Sequence, residues 1–351
     1  MKQSSAPQEK RGFALFGRGE NTNILMITIF FFVAISVVQL ILSAVAGKVV
    51  YPSFITPVNL LNILMQVACV GIMAMGMTVV MIGGGIDLSV GMLTSFVAIF
   101  IAKAFIDWDI SLPIAIIASI VIAVIFETGM GLVISRLNVE PFIITLGGMI
   151  AFRGIALLIC NSQEISTEGA LSFLKTNLIP GAKDPVSGLS LSIPIYVIVF
   201  LVITVVMWWL LKYTKYGRRV YAVGSNRNAA YLAGIGVKNI VLSTYTLNGL
   251  LVSIAAIMLL ARVNTAIITI GQNLEIDVIA ATVVGGVALS GGKGNIWGTF
   301  IGAILLGTIA NAMNILRLQS EWQFVVKGII IIAAISAGAI VAARSQERGR
   351  A

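Results

Sequence analysis

Residues 83–91 read Gly83-Gly84-Gly85-Ile86-Asp87-Leu88-Ser89-Val90-Gly91 and lie between two long apolar runs. The apolar flanks place this tract at or inside a membrane. Lipid cannot satisfy backbone groups that glycines free from helical pairing, so a broken helix survives there only inside protein or beside water. A carboxylate at the same depth, Asp87, is costly and usually marks a pathway. Apolar segments interrupted by glycine are typical of transport sites.

The composition of the chain is that of an integral membrane protein. It has 351 residues, of which 58% are hydrophobic and 11% are charged, and its mean hydropathy is +1.03. Soluble domains carry roughly 25% charged residues. A helical span takes roughly 20 residues, so the length allows about ten. We therefore predict an all-α membrane protein with about ten spans, some broken at glycines into discontinuous or re-entrant segments.

Ten apolar segments are the predicted spans: 24–46, 60–82, 86–106, 112–134, 142–160, 193–211, 241–261, 276–292, 295–316 and 323–343. Most of the 23 Lys and Arg residues fall on the side that holds the N-terminus. Because cytoplasmic loops carry the excess of basic residues, both termini are predicted to be cytoplasmic. The net charge of +9 then indicates contact with anionic lipid rather than with nucleic acid.

The chain therefore divides into a cytoplasmic tail at 1–23, one transmembrane domain at 24–343 and a second tail at 344–351. Two loops are long, the outer loop at 161–192 and the basic inner loop at 212–240. Within the inner loop, Asn226 is placed to cap a short helix over 227–233, and Gly234 is placed to end it.

An internal echo suggests a duplicated architecture. Residues 84–91 read Gly-Gly-Ile-Asp-Leu-Ser-Val-Gly, and residues 285–292 read Gly-Gly-Val-Ala-Leu-Ser-Gly-Gly. Each tract would join an inward-running span to an outward-running one, a pattern of two matching broken helices that recurs in transporters. Chance similarity of glycine-rich apolar segments is the alternative.

Several acidic residues are candidates for the translocation pathway. Asp87 would line the path or, alternatively, cap the third span. Glu275 and Asp277 open the eighth span, where either a gating role or a favourable interaction with the helix dipole accounts for them.

Charges inside the other spans need a partner or water. Arg153 and Glu127 could pair, although their depths argue for caution. Lys327, near the outer end of the last span, is expected to extend its ammonium group to the interface. Cys69 and Cys160 are expected to be buried apolar residues rather than a disulfide.

Two glycine patterns bear on helix packing and on nucleotide binding. Gly294, Gly298 and Gly302 recur every four residues, which indicates close helix packing within the chain or between subunits. Gly292-Lys293 lacks both ends of the phosphate-binding loop pattern, so no nucleotide site of that kind is expected. The chain has no histidine and no visible nucleophile–base set, which argues against an enzyme.

Taken in order, these motifs resemble the permease subunit of bacterial ATP-binding-cassette importers for simple sugars, the ribose, xylose and galactose group. The resemblance covers about residues 55–335. It is carried by the following segments: Met77–Val80 with Gly84–Gly91, Pro141–Gly147, Arg153-Gly154, Tyr216–Arg218 with Ala222–Gly224 and Ala229-Ala230, and Glu275–Ala281 with Gly285-Gly286 and Leu289–Gly294.

The resemblance implies a chain of the bacterial cytoplasmic (inner) membrane that binds no cofactor or metal and hydrolyses no ATP itself. The implied partners are an ATPase on the cytoplasmic face, a periplasmic sugar-binding protein, and a second permease that is either a copy or a paralogue. It also assigns candidate roles to two sets of residues. The pathway or gate set is Asp87, Ser89, Thr145, Arg153, Glu275 and Asp277, and the ATPase-coupling set is Gly217, Arg218, Asn226, Arg227, Ala229, Ala230 and Gly234.

The chain departs from the resemblance at two places. Asn226-Arg227-Asn228 stands where relatives commonly carry an acidic residue, and Glu127 often corresponds to a small residue. Three other functions stay open from the residues alone: a permease for branched-chain amino acids or nucleosides, an ATP-independent secondary transporter using Asp87 and Glu127, and a membrane enzyme.

Overall fold

The computed structural model describes residues 56–179 and 192–319, with Phe54, 321–330 and scattered positions in 25–37 and 332–336. In chain order its helices are α1 Pro57–Ile82, α2 Val90–Ile106, α3 Leu112–Leu137, α4 Pro141–Cys160, α5 Ile195–Tyr213, α6 Lys215–Ser225, α7 Arg227–Leu232, α8 Val237–Val263, α9 Leu274–Val284 and α10 Ile296–Ile315. Residues 321–330 are also helical. Six of the described helices, α1, α3, α4, α5, α8 and α10, are long and apolar enough to cross a membrane, so the predicted α-helical membrane class is confirmed.

Short strands fasten the loops on the side opposite α6 and α7. The strands are β1 Ile165–Ser166, β2 Asn177–Ile179, β3 Ile193–Pro194 and β4 Thr265–Ala266, and the pairs β1–β4 and β2–β3 are antiparallel. The Thr167 amide also donates to the Asn264 carbonyl at 2.9 Å. These pairings tie the first part of the predicted outer loop to the end of α8.

The spanning helices form an inner and an outer set. In their most apolar stretches, α1 is 78% buried, α10 72% and α8 61%, whereas α3 and α4 are only 22% and 17% buried. The exposed side of α3 carries Ile114, Ile117, Val121 and Ile125. Apolar side chains on an outer helix suit contact with lipid, so the polar groups of these helices are expected on their buried faces.

Two predicted span boundaries are wrong at the glycine tracts. The third span was expected to begin at residue 86, but α2 begins at Val90. The eighth was expected to run through 276–292, but α9 ends at Val284 and the chain stays non-helical until Asn295. At the second tract apolar composition alone suggested continuity, whereas the glycines end α9 there as they end α1 at the first tract. The first predicted span, 24–46, lies mostly outside the described residues.

The glycine pattern at 294–302 is a packing feature within the chain. A Cβ at Gly302 would meet the Ala281 carbonyl oxygen and lie 2.8 Å from the Gly285 amide nitrogen. A Cβ at Gly285 would lie 2.6 Å from the Thr299 Cα atom. The missing side chains therefore let α9 and α10 approach through their backbones. Gly294 itself precedes α10 and has a φ of +138°.

We expect Gly302→Ala to destabilise the protein by about 1–3 kcal/mol, because the added methyl group has no space between α9 and α10. Thermal unfolding in mild detergent measures the effect. Gly154→Ala is the matched control, since a Cβ there meets no atom within 4 Å. Equal melting temperatures for the two variants would contradict close α9–α10 packing.

Candidate functional site

The first glycine tract ends α1 with a compact hydrogen-bonded turn. Gly83 closes the helix, and Gly84 takes a φ of +82°, which is the left-handed conformation that glycine adopts without steric cost. The Gly84 amide donates to the Met81 carbonyl at 2.9 Å, and the Gly85 amide donates to the Val80 carbonyl at 3.0 Å. This pair of bonds is a Schellman motif, which satisfies carbonyl groups that the end of a helix leaves free.

The second glycine tract ends α9 in the same way. Gly285 closes the helix and Gly286 has a φ of +85°. The Gly286 amide donates to the Val283 carbonyl at 2.9 Å, and the Val287 amide donates to the Thr282 carbonyl at 3.2 Å. The internal echo in the sequence is therefore matched by two helix ends of the same geometry.

The two breaks touch one another. The Gly292 amide donates to the Ile82 carbonyl at 2.8 Å, so the second tract satisfies the end of α1. A Cβ at Gly291 would lie 2.9 Å from the Gly84 Cα atom, which shows how closely the two backbones approach. Near the breaks, the hydroxyls of Thr78 on α1 and Thr299 on α10 are hydrogen-bonded at 2.7 Å.

A buried polar cluster follows the first break. Asp87 is fully buried, and its Oδ1 atom accepts hydrogen bonds from the Ser89 amide at 2.8 Å and the Ser89 hydroxyl at 2.7 Å. Its Oδ2 atom accepts a bond from the Asn248 amide nitrogen at 2.7 Å. Ser89 Oγ also lies 3.0 Å from Oε1 of the fully buried Glu127. Four polar side chains from the break, α3 and α8 thus meet at one point.

The hypothesis that Asp87 caps the third span is wrong in its strict form. Ser89 is the N-cap of α2, and Asp87 binds the amide of Ser89 itself rather than an amide inside the helix. Thr145 lies beside the same turn, with its hydroxyl 3.0 Å from the Pro141 carbonyl and 3.4 Å from the Ile86 carbonyl. The structure therefore groups Asp87, Ser89 and Thr145 at the first break.

The inner loop folds into two short helices, α6 and α7. Asn226 Oδ1 accepts the Ala229 amide at 2.9 Å, and Gly234 has a φ of +77° just after α7. The predicted cap and stop of this helix are therefore confirmed. Ala230 is buried on the inner face of α7. A Cβ at Gly217 would collide with the Leu211 backbone, which explains a glycine where α6 folds back on α5.

Helices α6 and α7 contact both breaks directly. The Tyr221 hydroxyl donates to the Gly294 carbonyl at 2.8 Å, and burial raises the pKa of this hydroxyl, so it remains a donor. Arg227 Nη2 lies 3.3 Å from the Gly84 carbonyl oxygen. A Cβ at Gly224 would collide with the Ile82 carbonyl and lie 2.7 Å from the Gly292 amide nitrogen. Helix α6 therefore packs directly against the end of α1 and the second tract.

Two other candidate residues lie at the start of α9. The Glu275 carboxylate packs against Gly91 of α2, and its Oε2 atom has no hydrogen-bond partner among the residues that the structure describes. Asp277 pairs with Lys327, whose Nζ lies 2.8 Å from Oδ1 and 2.9 Å from Oδ2. Lys327, which is expected to reach the interface, is therefore also held by an acceptor on α9.

The hypothesis of an Arg153–Glu127 pair is also wrong. Arg153 is exposed on α4, whereas Glu127 is fully buried beside Ser89. Within the described part of the chain, the ion pairs are Lys103–Asp107 and Lys327–Asp277. Arg153 is thus separated from the other pathway candidates. Arg218 is likewise exposed and reaches only the Tyr213 carbonyl, at 3.5 Å.

Two residues of α8 belong to the cluster and were not predicted. Asn248 donates to Asp87, and the buried Tyr245 hydroxyl lies against Gly85. The available signal was a polar stretch within a predicted span, Ser243, Thr244, Tyr245, Thr246 and Asn248, with Asn248 one helical turn after Thr244. Cys69 and Cys160 are both buried and unpaired, as expected.

The helix breaks, the buried polar cluster and the paired inner helices define a membrane transport protein. Residues 59–335 match the family described as branched-chain amino acid transport system / permease component. The chain belongs to this family, which confirms the class that its motifs resemble. Its place is accordingly the bacterial cytoplasmic membrane, and it is a transport component rather than an enzyme.

Relatives with assigned names agree with this class. The chain is 39% identical over 82% of its length to the ribose import permease protein RbsC of Bacillus subtilis (strain 168), of which it covers 87%. It is 35% identical to RbsC of Escherichia coli (strain K12), with 86% of this chain and 91% of the relative covered. The xylose transport system permease protein XylH of Haemophilus influenzae is 33% identical, with coverage of 81% and 89%. No solved structure matches the chain.

We expect Asn248→Leu to destabilise the protein by about 1–3 kcal/mol, because Asp87 Oδ2 would lose its donor while remaining buried. Thermal unfolding of the purified chain checks this. Asn239→Leu, at an exposed position in the first turn of the same helix, should change stability far less. If both variants had the melting temperature of the wild type, the bond from Asn248 to Asp87 would not stabilise the fold.

Proposed function

We propose that this chain is the membrane permease of an ATP-driven importer and translocates a monosaccharide delivered by a periplasmic binding protein. The observation that carries the proposal is the contact of α6 and α7 with both glycine breaks through Tyr221, Gly224 and Arg227. The named relatives, which import ribose or transport xylose, support the substrate class.

The proposed topology has about ten spans with both termini cytoplasmic, and α6 and α7 on the cytoplasmic side. In this topology α2 and α9 are discontinuous segments that begin or end at the breaks. Helix α9 has 11 residues, which at 1.5 Å per residue is about 16 Å, half of a membrane core of about 30 Å. The contact of Glu275 with Gly91 of α2 supports a start of α9 against another helix.

An ATPase partner has a surface to bind. The tip of α7 exposes Tyr231 and Leu232, at 73% and 84%, where an aromatic and an aliphatic side chain would contact a partner protein. Beside the tip is a cavity of about 810 Å³ whose lining includes Arg136, Arg227 and Lys238. This basic lining suits an acidic partner surface, since charge complementarity selects and orients partners.

The contacts of α6 and α7 with the two breaks would transmit a movement of the ATPase to the membrane-spanning helices. Closure of the ATPase would displace α6 and α7, which lie against the Ile82 and Gly84 carbonyls and the Gly294 carbonyl. The two breaks would move together, because the Gly292 amide joins them. Sugar would then pass beside α2 and α9, with Asp87, Ser89, Thr145, Glu275 and Asp277 as the nearest candidate groups. The pathway needs only weak sugar contacts, since selectivity would reside mainly in the binding protein.

The assembly tests the proposal directly. The tagged chain, coexpressed with its neighbouring ATPase and binding protein, would be purified and placed in vesicles. We expect ATP-dependent uptake of labelled ribose or xylose that requires the binding protein. Uptake of leucine instead would favour the branched-chain amino acid function in the family description. Uptake without ATPase or ATP would favour a secondary transporter.

We expect Gly224→Ala to reduce uptake by roughly tenfold, the factor that corresponds to about 1.4 kcal/mol of mispacking between α6 and the breaks. The ATPase should still copurify with the variant, because Gly224 faces the breaks and not the exposed tip of α7. Gly236→Ala is the control, since its φ is −70° and the nearest atom to a Cβ is 3.8 Å away. Normal uptake by Gly224→Ala would contradict the proposed transmission.

A further inference from the structure

The carboxyl groups of Asp87 and Glu127 form a buried arrangement that the transport mechanism does not use. Both residues are 0% exposed, and both carboxyl groups lie within hydrogen-bonding distance of the Ser89 hydroxyl, Asp87 Oδ1 at 2.7 Å and Glu127 Oε1 at 3.0 Å. Carboxylate oxygens carry no hydrogen when ionised, so two ionised groups could only repel each other. Two adjacent carboxylates without water are therefore not a stable arrangement, and one positive charge or one proton must accompany them.

The described neighbours do not supply a positive charge. Arg227 contacts the Gly84 carbonyl and Glu275 packs against Gly91, on either side of the cluster. No Lys or Arg of the described residues forms an ion pair with Asp87 or Glu127. The remaining titratable group is Tyr245, which is 1% exposed, interacts electrostatically with both carboxyl groups and has no hydrogen-bond partner among the described residues. A phenol beside two carboxyl groups adds no positive charge.

The hydrogen bonds decide which group holds the proton. Asp87 accepts the Ser89 amide, the Ser89 hydroxyl and the Asn248 amide, which together favour a carboxylate. The single hydroxyl hydrogen of Ser89 serves only one acceptor, and its oxygen is closer to Asp87, at 2.7 Å, than to Glu127, at 3.0 Å. Glu127 Oε2 has no donor among the described residues. Glu127 is thus the group left without stabilisation of a negative charge.

We propose that Glu127 and Asp87 form a proton-binding site at the first break, in which protonated Glu127 donates a hydrogen bond to the Ser89 hydroxyl oxygen and this hydroxyl donates to ionised Asp87. The proton joins α3 to the turn that precedes α2. Release of this proton would leave two buried negative charges on either side of Ser89 and would push the turn away from α3. The position of the break is therefore linked to proton binding, whatever molecule the permease translocates.

The test is the pH dependence of thermal stability of the full purified chain in mild detergent or lipid nanodiscs. An unfolded chain releases the Glu127 proton at lower pH than the folded chain. The free energy of unfolding of the wild type should therefore fall as pH rises through the range in which Glu127 is deprotonated only in the unfolded state. Linkage of one proton changes the unfolding equilibrium by up to about tenfold per pH unit.

We expect Glu127→Gln to lose this component of the pH dependence while keeping the fold, because an amide can donate the same hydrogen bond without a proton to release. Glu164→Gln, at an exposed position, should retain the wild-type slope. In infrared difference spectra, the wild type at neutral pH should show a protonated-carboxyl band that Glu127→Gln lacks. Asp87→Asn, a second variant, should also flatten the pH slope, since Glu127 would no longer face a carboxylate.

Two results would overturn the proposal. Equal pH slopes for the wild type and Glu127→Gln, with no difference in the carboxyl band, would show that Glu127 holds no proton. Stabilisation of the wild type by Na⁺ or K⁺, absent in Glu127→Gln, would show that a metal cation neutralises the pair instead. Neither result depends on transport, so failure of this proposal is distinguishable from failure of the proposed function.

Discussion

Everything in this structure depends on satisfying backbone groups where helices end inside an apolar protein. Lipid provides neither donors nor acceptors, so each free carbonyl must find a partner within the chain. Two helix ends use the same solution, in which a glycine of positive φ at 84 or 286 lets its own amide and the following amide turn back to the last carbonyls. At the first break, the second glycine tract adds one more donor, the Gly292 amide, to the Ile82 carbonyl.

The need for donors at the helix breaks also explains how a movement of α6 and α7 could be transmitted to the pathway. The carbonyls of Gly84 and Gly294 accept hydrogen bonds from Arg227 and Tyr221. The same short helices that would meet an ATPase thus provide donors to the broken segments. Few side chains are needed for this link, because the glycines at 224, 291 and 292 bring backbone directly against backbone. A rigid contact of this kind transmits displacement better than long flexible side chains would.

Sequence reasoning worked where a local rule determines the geometry. Asn226 and Gly234 are a cap and a stop whose roles depend on residues within one turn, and both were predicted. The spacing of Gly298 and Gly302 likewise indicated close packing, although it could not say which helix would be the partner. The glycine tracts were recognised as breaks, yet the extent of the second was missed, because the apolar residues between its glycines resemble a span.

The rest depended on contacts between distant segments. The Asn248 bond to Asp87 joins residues 161 positions apart, and the Lys327 pair with Asp277 joins residues 50 apart. No local pattern specifies such pairs. Glu127 was noticed as an unusual charge, but its partner is the Ser89 hydroxyl rather than Arg153, because the break brings Ser89 to α3. The opposite charges of Arg153 and Glu127 suggested a salt bridge, but the structure places Arg153 on the exposed face of α4 and Glu127 in the interior.

Helix α6 and the two breaks are expected to move as one body. Distances between spin labels in the assembled importer measure this movement. Labels at exposed Arg219 on α6, Leu289 in the second tract and Trp108 after α2 would report the movement. The account predicts that ATP changes the Leu289–Trp108 distance while the Arg219–Leu289 distance stays constant. A change in the Arg219–Leu289 distance with Leu289–Trp108 unchanged would mean that α6 moves without the break, and it would contradict the account.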